Sequence, residues 1–208
     1  MRQNSIDLNR IRLHGRLEGR PVLSHSNHGV EFYQFPLSVV RLSGVEDRIN
    51  VVTARHLLEP LGELKADQEL TVNGEVRTFN NRTGVGSRLI ISTFARGLIP
   101  EEGEDDNRLE LSGTLCKPPS LRATPLGRTI CDMILAVNRR YGRADYLPCI
   151  AWGSLAHRCG ALKVGDQVKL SGRLQSRRYT KQVENGIEER VAFEVSVMSL
   201  LEDDEGEN

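Results

Sequence analysis

The feature that most constrains this chain is an internal repeat. When the sequence is shifted by 98 residues it aligns with itself without a gap over about 70 positions, of which about 18 are identical. The segment Asn9–Leu17 falls on residues 107–115, and Arg41 and Asp47 fall on Arg139 and Asp145. A match of this length is well beyond chance for two unrelated segments, so the chain contains two copies of one structural unit.

Charge divides the chain at the same places. The net charge is zero, but residues 1–100 carry 13 Lys+Arg against 10 Asp+Glu, and residues 107–200 carry 15 against 8. The other acidic residues lie in blocks 101–106 and 202–207, which contain no basic residue. Such runs are usually solvated and disordered. We therefore predict a domain at 1–100, an acidic linker at 101–106, a domain at 107–201 and an acidic tail at 202–208.

Each copy has the pattern of a small β-barrel. Five runs alternate between apolar and polar residues, and a short apolar-periodic helix lies between the third and fourth runs, at 55–62 in copy one and at Ser154–Gly160 in copy two. The order β-β-β-α-β-β over about 95 residues is typical of the OB-fold, a five-stranded, partly open Greek-key barrel. The sequence thus predicts an all-β protein of two tandem OB-folds with one short helix per domain.

Copy two combines rings with basic side chains on the predicted outer surface of its barrel. Tyr146 and Trp152 lie six residues apart in the third strand, so the period of two directs them to the same side. OB-folds bind single strands by stacking bases on such rings and by placing basic side chains along the backbone. The predicted DNA-binding residues of this copy are Tyr141, Tyr146, Trp152, Tyr179, Arg139, Arg140, Arg173, Arg177, Arg178 and Lys181. Trp152 could instead close the barrel core, and Tyr146 could pack across strands.

Copy one lacks these rings. The positions 98 residues before the four aromatics hold Ser43, Arg48, Ala54 and Asn81, and Glu75 stands where copy two has Arg173. Arg41, Arg48 and Arg77 remain as candidate backbone contacts. We therefore expect copy two to grip bases, and copy one to bind more weakly or to serve as a structural and assembly partner.

Copy two resembles the bacterial single-stranded DNA-binding protein family over its whole length. The matching stretches are residues 107–115, 135–140, 150–156, 162–166 and 172–179. The resemblance implies that Tyr141, Tyr146, Trp152 and Tyr179 stack on DNA. Copy one resembles the same family mainly in its glycines and its strand pattern. It looks like a diverged member of the family, or like the related primosomal replication protein N. Because the family commonly presents four OB-folds, the resemblance also implies a homodimer. The tail is acidic but ends Gly-Glu-Asn, without the apolar tip through which family members recruit replication and repair proteins.

Other functions are less well supported by the sequence. No GxGxxG, P-loop, HExxH or GxSxG motif occurs, so we expect no enzyme and no cofactor. Cys116, Cys131, Cys149 and Cys159 form no CxxC pair and are interpreted as thiols of a reducing compartment rather than metal ligands. No apolar run is long enough for a membrane span, and a cytoplasmic location is expected. The alternatives are an OB-fold protein-interaction scaffold, a primosome-like adaptor with weak nucleic-acid binding, and an RNA-binding protein.

Overall fold

A computed structural model describes residues 7–81, 88–183 and 186–201; the tail 202–208 lies outside them. Copy one contains six strands and a short helix followed by a single 3-10 turn at Glu59–Leu61. Its elements are β1 (Asn9–Leu17), β2 (Val22–Asn27), β3 (Val30–Val40), β4 (Glu46–Ala54), α1 (Arg55–Leu58), β5 (Glu69–Asn80) and β6 (Leu89–Ile99).

Copy two repeats this order of elements. A 3-10 turn at Arg140–Gly142 precedes its third long strand. The elements are β7 (Asp106–Leu115), β8 (Ser120–Ala123), β9 (Thr129–Asn138), β10 (Ala144–Trp152), α2 (Ser154–Gly160), β11 (Gln167–Val183) and β12 (Gly186–Leu200).

Strand pairing closes each copy into a five-stranded barrel. In copy one, β1 pairs with both β5 and β3, β3 pairs with β4, and β5 pairs with β6, all antiparallel. A short parallel pairing of β4 with β6 completes the ring. Copy two closes in the same order through β7, β9, β10, β12 and β11, with β10 parallel to β12. The predicted tandem OB-folds are confirmed.

A glycine allows the fourth and fifth strands of each barrel to come close together. A Cβ atom at Gly74 would lie 2.3 Å from the backbone oxygen of Phe94, and one at Gly172 would lie 2.3 Å from the backbone oxygen of Ser196. Since the two glycines occupy equivalent positions of the repeat, both barrels need the same backbone approach at this point.

Alternating side chains fill both barrels. The inward residues of β11 illustrate the pattern, because Val168, Leu170 and Leu174 are at most 4% exposed while the residues between them face outward or lie at the surface. Burial of such apolar side chains is the main favourable term in folding, at about 25 cal/mol for each Å² removed from water.

The structure adds two short strands that the alternation pattern did not predict. All residues of β2 and β8 are exposed, and each strand pairs along the outer edge of the following long strand. An exposed edge strand carries no burial period, so the hydrophobic pattern has no signal for it. The helix α1 is also shorter than the predicted 55–62, because the chain continues as the 3-10 turn.

The described residues cluster into two compact units. One unit contains Arg10–Arg108 together with Ser176–Ala192, which is the outer part of the β11–β12 hairpin and is called the arm below. The other unit contains Leu109–Gln175, the described residues from Phe193 onward, and residues 7–9.

The acidic linker is exposed to solvent and also forms hydrogen bonds and an ion pair with copy one. The amide of Gly103 donates to the Glu69 carboxylate at 3.0 Å, Asp105 accepts from the Val40 amide at 2.5 Å, and Glu101 lies 3.5 Å from Arg12. The Gly103 hydrogen bond, followed by nearby basic side chains, lowers the pKa of Glu69 below its ordinary value. Part of the linker charge is thus neutralised locally.

Candidate nucleic-acid interface

Strand β10 presents two aromatic side chains on one face. Leu147, Cys149 and Ala151 are buried in the barrel, so residues of the opposite parity point outward. Of these, Tyr146 is 54% exposed and Trp152 is 41% exposed. Both rings therefore offer surface to a planar ligand, which is the requirement for base stacking.

Two residues whose strand parity would place them on the outer surface are buried instead. Ile150 lies between the two rings and is 4% exposed, where β10 pairs with Asp132 of β9 and with Ser196 of β12. Gln175 is 7% exposed, and its amide donates to Glu194 at 3.2 Å. Outward parity on this barrel therefore does not by itself give access to solvent.

Tyr141 lies on a tight turn between β9 and β10 and is almost fully exposed. Its φ of 65° and ψ of 33° are left-handed, and its side chain is 96% exposed. Non-glycine residues with positive φ are uncommon, and strained backbone of this kind clusters at functional sites. The turn is closed by a 2.7 Å hydrogen bond from the Arg139 amide to the Arg143 carbonyl.

The structure gives Arg139 a different role from the predicted DNA contact. Its guanidinium donates two hydrogen bonds to Asp145, whose side chain is fully buried, and the arginine side chain is itself only 17% exposed. A bidentate arginine–carboxylate pair is fixed in geometry. Arg139 therefore holds the base of the Tyr141 turn, and its predicted contact with DNA would have to compete with this ion pair.

Arg41, the equivalent residue of copy one, is paired in the same way. Its guanidinium donates to both oxygens of the buried Asp47, each at 2.6 Å, and its side chain is 14% exposed. The Asp47 carboxylate also accepts from the amide and hydroxyl of Ser176 in the arm, each at 2.7 Å. In both copies a buried carboxylate six residues later therefore neutralises the arginine, and a predicted contact of Arg41 with DNA would compete with that ion pair.

Other basic residues near the copy-two rings keep their charge available. Arg140 and Arg143 flank Tyr141, and both are exposed. Within the described ranges, no carboxylate lies at ion-pairing distance from either of them. Arg143 was missed by the sequence reasoning, although its place two residues after Tyr141 was a sufficient signal. Arg173 is partly exposed and donates to Gln175 at 3.3 Å.

The arm holds Tyr179 between two arginines. The Arg177 guanidinium lies 5.5 Å from the ring centroid, a cation–π distance. Arg190, which the sequence reasoning missed, donates a hydrogen bond to Glu188 at 2.7 Å. The Glu188 carboxylate, and to a lesser degree Tyr179, raises the pKa of Arg190. Arg178 is exposed beside Glu189 at 3.7 Å. Lys181 is exposed, with no ion pair to a described residue.

The arginines of copy one are matched by carboxylates. Arg48 pairs with Glu18, and Arg77 lies 3.1 Å from Glu75 with its guanidinium 3.9 Å from the Phe94 ring centroid. Arg48 is still 66% exposed, whereas Arg77 is 19% exposed. Further pairs within this copy join Arg16 to Glu69, Arg20 to Glu63, Arg55 to Glu31 and Glu59, and Arg96 to Glu75. Copy one therefore presents less uncompensated positive charge than its arginine content suggests.

Three of the four cysteines lie in the core of copy two, and the described part of the chain contains no cluster of residues that could hold a metal ion. Cys131, Cys149 and Cys159 are at most 2% exposed. Burial raises the pKa of the Cys149 thiol and raises that of Cys159 to about 11, so both are protonated at neutral pH. Neither helix in the described residues has the length and hydropathy that crossing a membrane requires.

Comparison with known proteins gives consistent matches. "Single-stranded DNA-binding protein A" of Bacillus subtilis is 39% identical over 83 residues, 36% of this chain and 48% of that protein. "Single-stranded DNA-binding protein 2" of Listeria innocua is 38% identical over 80 residues, 35% of this chain and 50% of that protein. The chain thus spans about half the length of the curated relatives it matches.

A solved structure matches nearly the whole chain. The single-stranded DNA binding protein from Thermus aquaticus superposes with a TM-score of 0.78 and 25% identity, covering 98% of this chain and 97% of that one. The model of the "Single-strand binding protein family" matches residues 106–201. The resemblance expected from the sequence is confirmed, since residues 106–201 of this chain are similar to the single-strand binding protein family.

Proposed function

We propose that this chain binds single-stranded DNA by stacking unpaired bases on the rings of copy two and contacting phosphates with nearby arginines. The observation that carries the proposal is the exposure of Tyr146 and Trp152 on one face of β10. Tyr141 adds a third exposed ring, held out by a strained turn. The names of the relatives support the same ligand.

The distribution of charge supports an unequal division between the copies. Arg140 and Arg143 are exposed without a described carboxylate partner, whereas the copy-one residues Arg48 and Arg77 each pair with a glutamate. Contacts with phosphate require cations that can exchange their counterions for the strand. Copy two therefore supplies most of the phosphate attraction.

We further propose that the chain protects or organises single strands during replication, recombination or repair, without enzymatic activity. A homodimer would bring four OB-folds together and would let one strand pass over several barrels. Light scattering at micromolar concentration tests this assembly, because a mass of one chain would refute the dimer.

A fluorescence titration tests DNA binding. Trp152 is the single tryptophan, so quenching of its emission by oligo-dT reports directly on stacking at this ring. Trp152→Leu should weaken binding of a labelled oligo-dT by about 1–3 kcal/mol, whereas Trp152→Phe keeps a ring and should lose less.

The outcomes separate the alternatives. Equal quenching by oligo-dT and oligo-U would replace the DNA assignment with general single-strand binding, because a stacking platform does not read the sugar. If no oligonucleotide quenched Trp152 even at low salt, the proposed function would be wrong and the protein-interaction scaffold would take its place.

A further inference from the structure

Copy one carries a row of rings that its sequence alignment with copy two does not reveal. The His25 ring on β2 stacks on Phe32 of β3, with centroids 4.9 Å apart and planes inclined by 11°. Phe32 in turn contacts Phe94 of β6, with centroids 5.9 Å apart and an angle of 45°. These rings lie at positions other than the four that align with the copy-two aromatics.

In copy one the large aromatic residue lies on the strand that neighbours the one carrying the tryptophan in copy two. Trp152 of β10 pairs with Ile130 of β9. The equivalent pair in copy one is Ala54 of β4 with Phe32 of β3, so the large aromatic residue has moved to the neighbouring strand. The small Ala54 side chain is buried in the strand between the rings, at 6% exposure.

Two guanidinium groups extend the row. The Arg77 carbon Cζ lies 3.9 Å from the Phe94 centroid, and the Arg96 carbon Cζ lies 5.0 Å from it. Both arginines also bond Glu75, which neutralises part of their charge and fixes their position. Guanidinium planes and aromatic rings are the groups on which proteins stack unpaired bases.

The exposure of the row is suited to a planar ligand. His25 is exposed, and Phe32 and Phe94 are partly exposed. The surrounding charge is partly neutralised, with the Glu75 carboxylate shared by the two guanidinium groups. A ligand here would therefore gain from stacking, with little net attraction for phosphate.

We propose that His25, Phe32 and Phe94 form a second stacking platform, which receives unpaired nucleobases of a DNA strand that copy two also grips. This proposal rests on the proposed function, because it takes the same ligand. It assigns copy one a binding role through stacking, in place of the weak backbone contacts predicted from its arginines.

Crosslinking tests the platform on the unmodified chain. A dT oligonucleotide of about 30 nucleotides, long enough for more than one OB-fold site, would carry 5-iodouracil at scattered positions. Irradiation should attach it to peptides containing His25, Phe32 or Phe94, identified by mass spectrometry. Crosslinks confined to copy-two peptides would overturn the platform and leave the proposed function intact.

A pair of matched variants provides the second measurement. His25→Asn removes the exposed end of the row, and His28→Asn removes the same ring type from the turn of the same hairpin, where φ is 47° and asparagine is tolerated. His25→Asn combined with Phe32→Leu should weaken binding of the long oligonucleotide about tenfold, whereas His28→Asn should not.

Trp152 quenching by a short oligo-dT of about 8 nucleotides separates the two proposals. Unchanged quenching in the double variant, together with weaker binding of the long strand, supports the platform. Equal affinities of the double variant and His28→Asn for the long strand would refute it. Crosslinks at His25 without any Trp152 quenching would retain the platform and refute stacking on copy two.

Discussion

Substitution of Asp47 by asparagine should strongly destabilise the protein. The Asp47 side chain is fully buried and accepts four hydrogen bonds, from Nε and Nη2 of Arg41 at 2.6 Å each and from the amide and hydroxyl of Ser176 at 2.7 Å each. Arg41 Nη2 also donates to the Ser176 carbonyl at 2.9 Å. One carboxylate therefore joins the end of β3 to the base of the arm.

The size of the effect follows from the burial of both charges. Removing one partner of a buried ion pair costs about 3–5 kcal/mol, since the other charge stays without compensation. Asparagine keeps the shape of Asp47 but turns one acceptor into a donor that faces the Arg41 guanidinium. We expect the free energy of unfolding to fall by about 3–5 kcal/mol. The double variant Arg41→Met with Asp47→Leu removes both charges and should recover only part of this loss, because Ser176 then loses its partners as well.

Urea denaturation followed by far-ultraviolet circular dichroism measures this loss. The matched control is Asp132→Asn, because Asp132 pairs with Arg122 at 2.7 Å while both side chains are about half exposed. Exposed pairs contribute about 0–1 kcal/mol, so the control should change little. If Asp47→Asn cost no more than Asp132→Asn, the assigned role of the buried pair would be refuted.

Three further predictions concern the backbone, the charge and the linker. Gly172→Ala should cost about 1–3 kcal/mol of unfolding free energy by forcing the strands apart, while Gly97→Ala, where an added Cβ meets nothing within 4 Å, should be nearly neutral in the same denaturation assay. Replacing Arg140 and Arg143 by alanine should reduce the slope of log K against log salt by about 0.7 per residue, measured by fluorescence anisotropy. The lowered folded-state pKa of Glu69 means that its bond to the Gly103 amide is fully present above the unfolded pKa and is lost as pH falls through the folded one. The protection of the Gly103 amide against hydrogen exchange, taken relative to the intrinsic exchange rate at each pH, should therefore fall in acid, a step absent in Glu69→Gln.

The repeat and the alternation pattern were sufficient to predict the barrels. The side chains of β10 and β11 that point into the barrel follow directly from a period of two. The equivalent glycines Gly74 and Gly172 mark the same close approach of two strands in each barrel. Edge strands β2 and β8 were not predictable in this way, because they are held by hydrogen bonds to a neighbour and bury no face.

The roles of individual arginines were harder to predict than the fold. Arg41 and Arg139 were assigned to DNA although each pairs with an aspartate six residues later. The signal was present, since the arginine and the aspartate recur together in both copies at the same spacing. A charge pair that recurs in both copies, one of which has lost its rings at the equivalent positions, indicates structure rather than ligand binding. The row of rings was not predictable from the alignment of the two copies. Phe32 aligns with Ile130, the cross-strand partner of Trp152, and not with Trp152 itself.

The two copies therefore differ in the kind of attraction they offer rather than only in strength. Copy two has exposed rings, and no described carboxylate neutralises Arg140 or Arg143, so its binding should fall steeply with salt. Copy one has rings beside a glutamate that holds its arginines, so any binding there should depend little on salt. At high salt a strand would lose the phosphate contacts first and keep the stacking contacts. The relative contribution of His25 and Phe32 to the affinity should therefore rise with salt, whereas a copy one without a ligand would make no contribution at any salt concentration.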